Sequence, residues 1–230
     1  MKRKLLLAAA IWATTVVLMA LQKPVFLLYY AAEASQSTFG EWMQVVWHGL
    51  KLDMTVAGYI TALPILFLLV NLWVSIPDRI GRKILGWYLT LMAVVAAALF
   101  AVDLGLYEYW GFRLDSTLLI YLSDPKEARA SVDGWMAVRQ TLIWAVYAAL
   151  MCGVYWRVVR LYDGRSLCWC RALPWSVVML LVAGLDFLSI RGGVGTSVAN
   201  VSKVCFSPTP FLNHAAVNPI FSFLSTLGKQ

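Results

Sequence analysis

Ile84–Val102, ILGWYLTLMAVVAAALFAV, is a run of 19 residues without a charge. It follows directly on Asp78-Arg79-Ile80-Gly81-Arg82-Lys83 and stops directly before Asp103. Wound as an α-helix at about 1.5 Å per residue it is about 28 Å long, close to the roughly 30 Å of hydrocarbon in a bilayer. A basic collar on one end of such a run is the pattern of a transmembrane helix whose collared end faces the cytoplasm.

Four more segments of this kind lie around it. Leu5–Leu21 follows Met1-Lys2-Arg3-Lys4, Met54–Ile76 contains Pro64, Gln140–Trp156 is the fourth span in chain order, and Ala172–Ile190 carries one acid, Asp186. The opening resembles a signal peptide, but apolar sequence resumes at Val25–Ala32 without a small-x-small cleavage site, so it reads as a signal anchor. Pro24 is expected to kink its outer end, and Lys23 to snorkel towards headgroups. Composition agrees. The chain is 61% hydrophobic and 13% charged, with a mean hydropathy of +0.72, against about 25% charged residues in a soluble domain. The net charge of +7 does not point to nucleic acid, because the basic residues sit between apolar spans and form no basic groove.

Three loops set the expected orientation. Lys2, Arg3, Lys4, Arg79, Arg82, Lys83, Arg157, Arg160, Arg165 and Arg171 are 10 of the 19 basic residues, and only Asp78 and Asp163 of the 12 acids accompany them. The N-terminus is therefore expected in the cytoplasm and, after five crossings, the C-terminus outside. The expected fold is an all-α integral membrane protein of about five transmembrane helices over residues 1–191. An outer amphipathic interfacial helix and an extracytoplasmic linker of short helices over residues 192–230 complete it. The interfacial helix is read from Phe39, Trp42, Met43, Val46, Trp47 and Leu50, which share one helical face, with Trp42 and Trp47 as its membrane anchors. Asp124-Pro125-Lys126-Glu127 has the form of a helix start running to about Val132. In the tail, Pro210 and Pro219 each suit a first helical position; Ile220, Phe223, Leu224 and Leu227 share a face, and Gly228 suits a helix end.

No soluble-type catalytic set is present. The two histidines, His48 and His214, lack acids at ligand spacing, and there is no P-loop, Gly-x-Ser-x-Gly or His-Glu-x-x-His. Cys152, Cys168, Cys170 and Cys205 give neither a disulfide framework nor a metal set. The informative residues are charged groups near the outer helix ends. Asp53 is placed at the start of the second span, where the helix dipole suits a carboxylate. Asp103 ends the third; if that helix continues, Asp103, Tyr107 and Trp110 form a stripe with Glu108 beside it, and Arg113 and Asp115 follow. Acids and bases at such depth face a cavity or each other. Two readings of Asp53, Asp103, Arg113 and Arg191 stand: a polar cluster receiving a lipid headgroup, and an ion-pair network locking the helices. Asp186 is the most buried acid by position, with its partner expected on another helix. Asn71, Thr61 and Asp186 are the polar exceptions at otherwise apolar span centres.

Three stretches resemble a known family. Leu52-Asp53-Met54-Thr55-Val56-Ala57-Gly58-Tyr59 is similar to the opening of the second helix of lipoteichoic-acid-synthase-like proteins, the membrane-bound sulfatase or phosphoglycerol transferase branch of the alkaline-phosphatase superfamily. Asp103-Leu104-Gly105-Leu106-Tyr107-Glu108-Tyr109-Trp110-Gly111-Phe112-Arg113-Leu114-Asp115 looks like the segment leaving their third helix. Arg191-Gly192-Gly193 and Phe211–Pro219 resemble the lead into their outer domain. The resemblance implies a bacterial cytoplasmic membrane and a five-helix membrane domain. It also implies an outer catalytic domain with a divalent metal (Mn, Mg, Zn or Ca) and a Thr, Ser or modified Cys nucleophile. That domain needs a few hundred residues beyond Gln230, so no catalytic or metal residue carries over and this chain needs no cofactor of its own. The expectation is an anchor that positions such an enzyme, its own C-terminal domain or a separate partner, and helps present an anionic glycerophospholipid. The alternatives are a lipid-modifying intramembrane enzyme using Asp53, Asp103 and Glu108, and a small transporter.

Overall fold

The computed structural model describes residues 1–119 and 133–227. The elements in chain order are α1 (Lys2–Tyr29), α2 (Ala31–Ala34), α3 (Phe39–Trp73), α4 (Asp78–Trp110), α5 (Gly134–Val159) and α6 (Trp169–Arg191), then a 3₁₀ turn (Val201–Val204), α7 (Pro210–Ala216) and α8 (Pro219–Thr226). No strand occurs among the described residues. α1, α3, α4, α5 and α6 are long and apolar enough to cross a membrane. The described residues form an all-α fold with five such helices. The expected helix start at Asp124 and the helix end at Gly228 lie outside the described residues.

Two boundaries differ from the sequence reading. The amphipathic stretch from Phe39 and the second span are one helix of 35 residues. Its start is a reciprocal capping box: Glu41 Oε2 accepts from Thr38 N at 2.7 Å, and Thr38 Oγ1 accepts from Glu41 N at 3.3 Å. No helix break separates Lys51 from Asp53, so Asp53 sits well inside α3 and not at a positive helix end. α4 likewise runs past Asp103 to Trp110, so the stripe conditional on that continuation exists. α6 ends at Gly192, whose φ of 84° is left-handed, with Gly193 N donating back to Leu188 O at 2.9 Å.

The chain forms two compact units. The first comprises Met1–Leu18, Met54–Ala93 and Met151–Ala199. Its core includes Leu7, Ile11, Val56, Ile60, Leu68, Leu72, Leu89, Met151, Tyr155 and Met179, all buried. Polar groups strap the ends of its helices. Lys4 Nζ donates to Asn71 Oδ1 and, at 2.8 Å, to Asp163 O. Asn71 Nδ2 in turn donates to Val74 O at 3.0 Å and Gly164 O at 3.1 Å. Asn71 is thus a clasp near the end of α3, one role that its place in an apolar run did not reveal. Thr15 Oγ1 donates to Ile11 O at 2.7 Å, which leaves Tyr155 to donate to Thr15 across 3.0 Å.

The second unit comprises Met19–Asp53, Val94–Leu150 and Asn200–Gln230. Phe26, Leu27, Val45, Leu52, Ala97, Phe100, Leu104, Leu212, Ala215 and Ala216 are buried in it. On the part of α3 that belongs to this unit the buried positions are Val45, Gly49, Leu52 and Asp53, whereas Phe39, Met43 and Trp47 form an exposed stripe. In α8, Ile220, Phe221 and Ser222 are buried while Leu224, and Leu227 just after the helix, are exposed. The face that packs therefore shares Ile220 with the one expected from periodicity but not Leu224 or Leu227. Pro210 and Pro219 do open α7 and α8.

Replacing Asn71 with Leu leaves the Lys4 ammonium and the Gly164 carbonyl without this partner. We expect a loss of about 1–3 kcal/mol, the usual penalty for orphaned buried polar groups, read as a lower unfolding midpoint in a detergent titration.

Candidate functional site

Both buried ion pairs and the aromatic cluster beside them lie within the second unit. Lys23, on α1, points inward at 2% exposure and its Nζ lies 2.6 Å and 2.7 Å from the two Asp53 carboxylate oxygens. It does not snorkel: the anionic partner one helix away competes better for the ammonium than the interface does. Asp53 Oδ1 also accepts from Asn218 Nδ2 at 2.9 Å. Asn218 is the N-cap of α8, and its Oδ1 accepts from Ile220 N at 3.0 Å and Phe221 N at 3.2 Å. One carboxylate thereby joins α1, α3 and the C-terminal tail. Gly49 makes room for this. A Cβ there would lie 1.9 Å from Lys23 Cε and 2.6 Å from the Ala216 carbonyl oxygen.

The second pair is Asp103 with Arg113, 2.8 Å apart and both buried. Asp103 Oδ1 also accepts from Leu114 N at 2.9 Å, which ties down the turn after α4. The Arg113 guanidinium stands 4.3 Å over the Phe26 ring. Phe26, Tyr30, Tyr107 and Phe211 form one aromatic cluster, with Phe26–Tyr107 centroids 4.9 Å apart and Tyr30–Tyr107 5.1 Å apart. Tyr107 reaches His214 on α7, hydroxyl to Nδ1, at 3.0 Å. Burial first, and the positive charge of Arg113 second, push the His214 imidazole below its ordinary 6.5. His214 is therefore a packing and hydrogen-bonding residue here.

The remaining candidates sit more openly. Glu108 is 3.9 Å from Arg139, and both are partly exposed. Trp110 stacks on Phe112 with centroids 5.4 Å apart. Asp115 Oδ1 accepts from Thr117 N at 2.9 Å, a local turn contact. Trp42 Nε1 donates to Ser37 at 2.8 Å, and Trp47 is exposed. Arg191 ends α6 in the first unit, where its carbonyl accepts from Ala199 N at 2.8 Å; among the described residues it makes no ion pair. No group of three or more His, Cys, Asp or Glu side chains is arranged to hold a metal among the described residues.

Sequence reasoning named Asp53, Asp103, Arg113 and Tyr107 but missed three of their partners, Lys23, Asn218 and Phe26. The readable signal was Lys23 itself, a cation inside an otherwise apolar stretch facing an acid in the next span. Each of these two buried acids faces a cation and one further donor. Asp103 Oδ2 is held by the charge of Arg113 without a well-formed hydrogen bond, and Arg113 Nε and Nη1 are likewise without a hydrogen-bond partner.

Family models, curated proteins and solved structures offer no match to this chain.

Two results are expected. Lys23→Met or Asp53→Leu alone strands a buried charge and is expected to cost about 3–5 kcal/mol, while the double variant recovers most of it; detergent unfolding of the four proteins measures this coupling. For His214, a folded-state value below the unfolded one means that the unfolded chain takes up the proton first. Stability should then fall as the pH drops below about 6.5. His214→Gln should flatten the pH dependence of the unfolding midpoint.

Proposed function

We propose that this chain is a membrane domain that anchors and positions a transferase or hydrolase acting on lipid-linked phosphate or sulfate esters outside the cytoplasmic membrane. In this reading the N-terminus is cytoplasmic and the C-terminus extracytoplasmic, as the clustering of basic residues in three short loops supports. The observation that carries the reading is the Lys23–Asp53–Asn218 contact. It fastens the C-terminal tail to two apolar helices at a buried point. Whatever follows such a tail is held at a fixed place and not on a loose tether. A domain so held shares one interface with its lipid substrate, which raises the effective concentration of that substrate.

The resemblance to the lipoteichoic-acid-synthase-like proteins supplies the class of enzyme. In those proteins the divalent metal and the nucleophile belong to the catalytic domain. The pairing of Asp53 with Lys23 and of Asp103 with Arg113 favours a locking role for these acids over general acid or base work, because each is neutralised within the fold. Anionic glycerophospholipid remains the proposed lipid partner of the assembled protein.

A protease-sensitive reporter fused after Gln230 tests the fixed tail. Asn218→Ala should speed release of the reporter from membranes about tenfold, the effect of losing about 1.4 kcal/mol of local stability. An unchanged release rate would refute positioning by this contact. Alkaline phosphatase activity at the same fusion point tests the orientation. Turnover of phosphatidylglycerol by the purified chain alone, abolished by Asp103→Asn, would instead establish the lipid-modifying enzyme.

A further inference from the structure

Among the described residues Asp186 has no hydrogen-bond or ion-pair partner, where Asp53 and Asp103 have two each. It is 8% exposed, and its Oδ1 makes no hydrogen bond. It lines a cavity of about 460 Å³ between α1, α3 and α6, inside the first unit. That volume falls within the range of small-molecule sites, roughly 300–1,000 Å³.

The other polar groups on the wall are spent. Ser189 Oγ donates to Met54 O at 2.7 Å and receives Trp12 Nε1 at 3.2 Å. Thr61 Oγ1 donates to Ala57 O at 2.7 Å. Among the described residues no Lys, Arg or His lines the cavity. The rest of the wall is apolar and extends along α1 from Trp12 to Leu5, about 10 Å at 1.5 Å per residue. Leu5, Ile65 and Val182 belong to this apolar portion. α6 meanwhile exposes Leu180, Leu181 and Leu185, a surface suited to hydrocarbon.

An apolar slot with one unmatched carboxylate calls for an apolar molecule with one positive head. We propose that this cavity binds a membrane-soluble amine, with its ammonium on the Asp186 carboxylate and its chain along Leu5, Ile65 and Val182. The ammonium supplies both the charge and the hydrogen-bond donors that no protein group provides. An anionic head is disfavoured, since a phosphate would meet Asp186 and no cation. The site is independent of the anchoring role proposed above. An acid inside a membrane span is a functional-site signal, and here geometry specifies the chemistry of its ligand.

The test is native mass spectrometry of the full chain in detergent, titrated with dodecylamine and, separately, with dodecanol. We expect one saturable equivalent of dodecylamine and binding of dodecanol weaker by at least about tenfold. Asp186→Asn keeps the shape and a polar group but removes the charge, and should weaken dodecylamine by about tenfold or more. Open-ended, non-saturating adducts, or an Asp186→Asn protein that binds the amine as wild type does, overturn the proposal. Should that variant not fold, Ala9→Phe carries the test. Ala9 lines the cavity yet is exposed, so a phenyl ring there fills the slot with little demand on the core. Retained amine binding in Ala9→Phe overturns the proposal, and its loss supports it. Displacement of dodecylamine by phosphatidylethanolamine but not phosphatidylcholine identifies an aminolipid as the source; displacement by neither identifies a free single-chain amine.

Discussion

The ammonium of Lys23 in the grip of Asp53 is the constraint around which the second unit is arranged. Two full charges are buried at 2% and 0% side-chain exposure, a state that costs several kcal/mol per ion unless geometry and further hydrogen bonds return it. The return has three parts: both carboxylate oxygens lie within 2.7 Å of Nζ, Asn218 adds a third contact, and Gly49 lets the lysine stem pass. Each part fixes another piece of backbone. Asn218 can serve Asp53 only if α8 begins where it does, and α7 must end just before it. The same residue caps α8 with its oxygen and binds the acid with its nitrogen, so helix start and tertiary contact are one event.

Arg113 plays the matching role after α4. Its pairing with Asp103 and the backbone bond from Leu114 to the same acid close the turn that begins at Gly111. A guanidinium tolerates this burial better than an ammonium does, because its planar face can lie on Phe26 while an edge meets the carboxylate. The aromatic cluster then continues through Tyr107 to His214, which ties α7 to α4. Two ion pairs and one aromatic cluster thus hold the tail from two sides.

Much of this was legible before any coordinates. Length and charge alone locate five apolar helices, because the cost of burying a charge in hydrocarbon is large enough to dominate every local preference. Pro210 and Pro219 announce their helices for an equally local reason, the fixed φ and missing N–H. The failures are of another kind. Periodicity read Phe39–Leu50 as a separate interfacial helix, whereas it is continuous with the second span. It also assigned Leu224 and Leu227 to a packing face although both are exposed; in a membrane an apolar face is as well served by lipid as by protein. The face of α3 that meets protein in the second unit carries Gly49 and Asp53, which no hydropathy count selects. Lys23 was read as reaching for headgroups because its partner is 30 residues away, and which of two acids faces it is a matter of helix rotation that sequence spacing does not encode.

Asp53, Asp103 and Asp186 show what separates structural from ligand-directed acids inside apolar helices. For the first two, removal of the acid would strand a cation, so the pair persists by mutual need. Asp186 has no such dependant. Its removal would relieve a desolvation penalty, and a Leu in its place would join the apolar wall at no cost to any hydrogen bond in the first unit. A residue whose deletion should stabilise the empty fold contributes something other than stability. The neighbouring Ser189 and Thr61 sharpen the contrast, since each is hydrogen-bonded to backbone and could remain in a purely structural helix contact. The demand that Asp186 makes on its surroundings is for a cation, and among the described residues that line the space before it none supplies one.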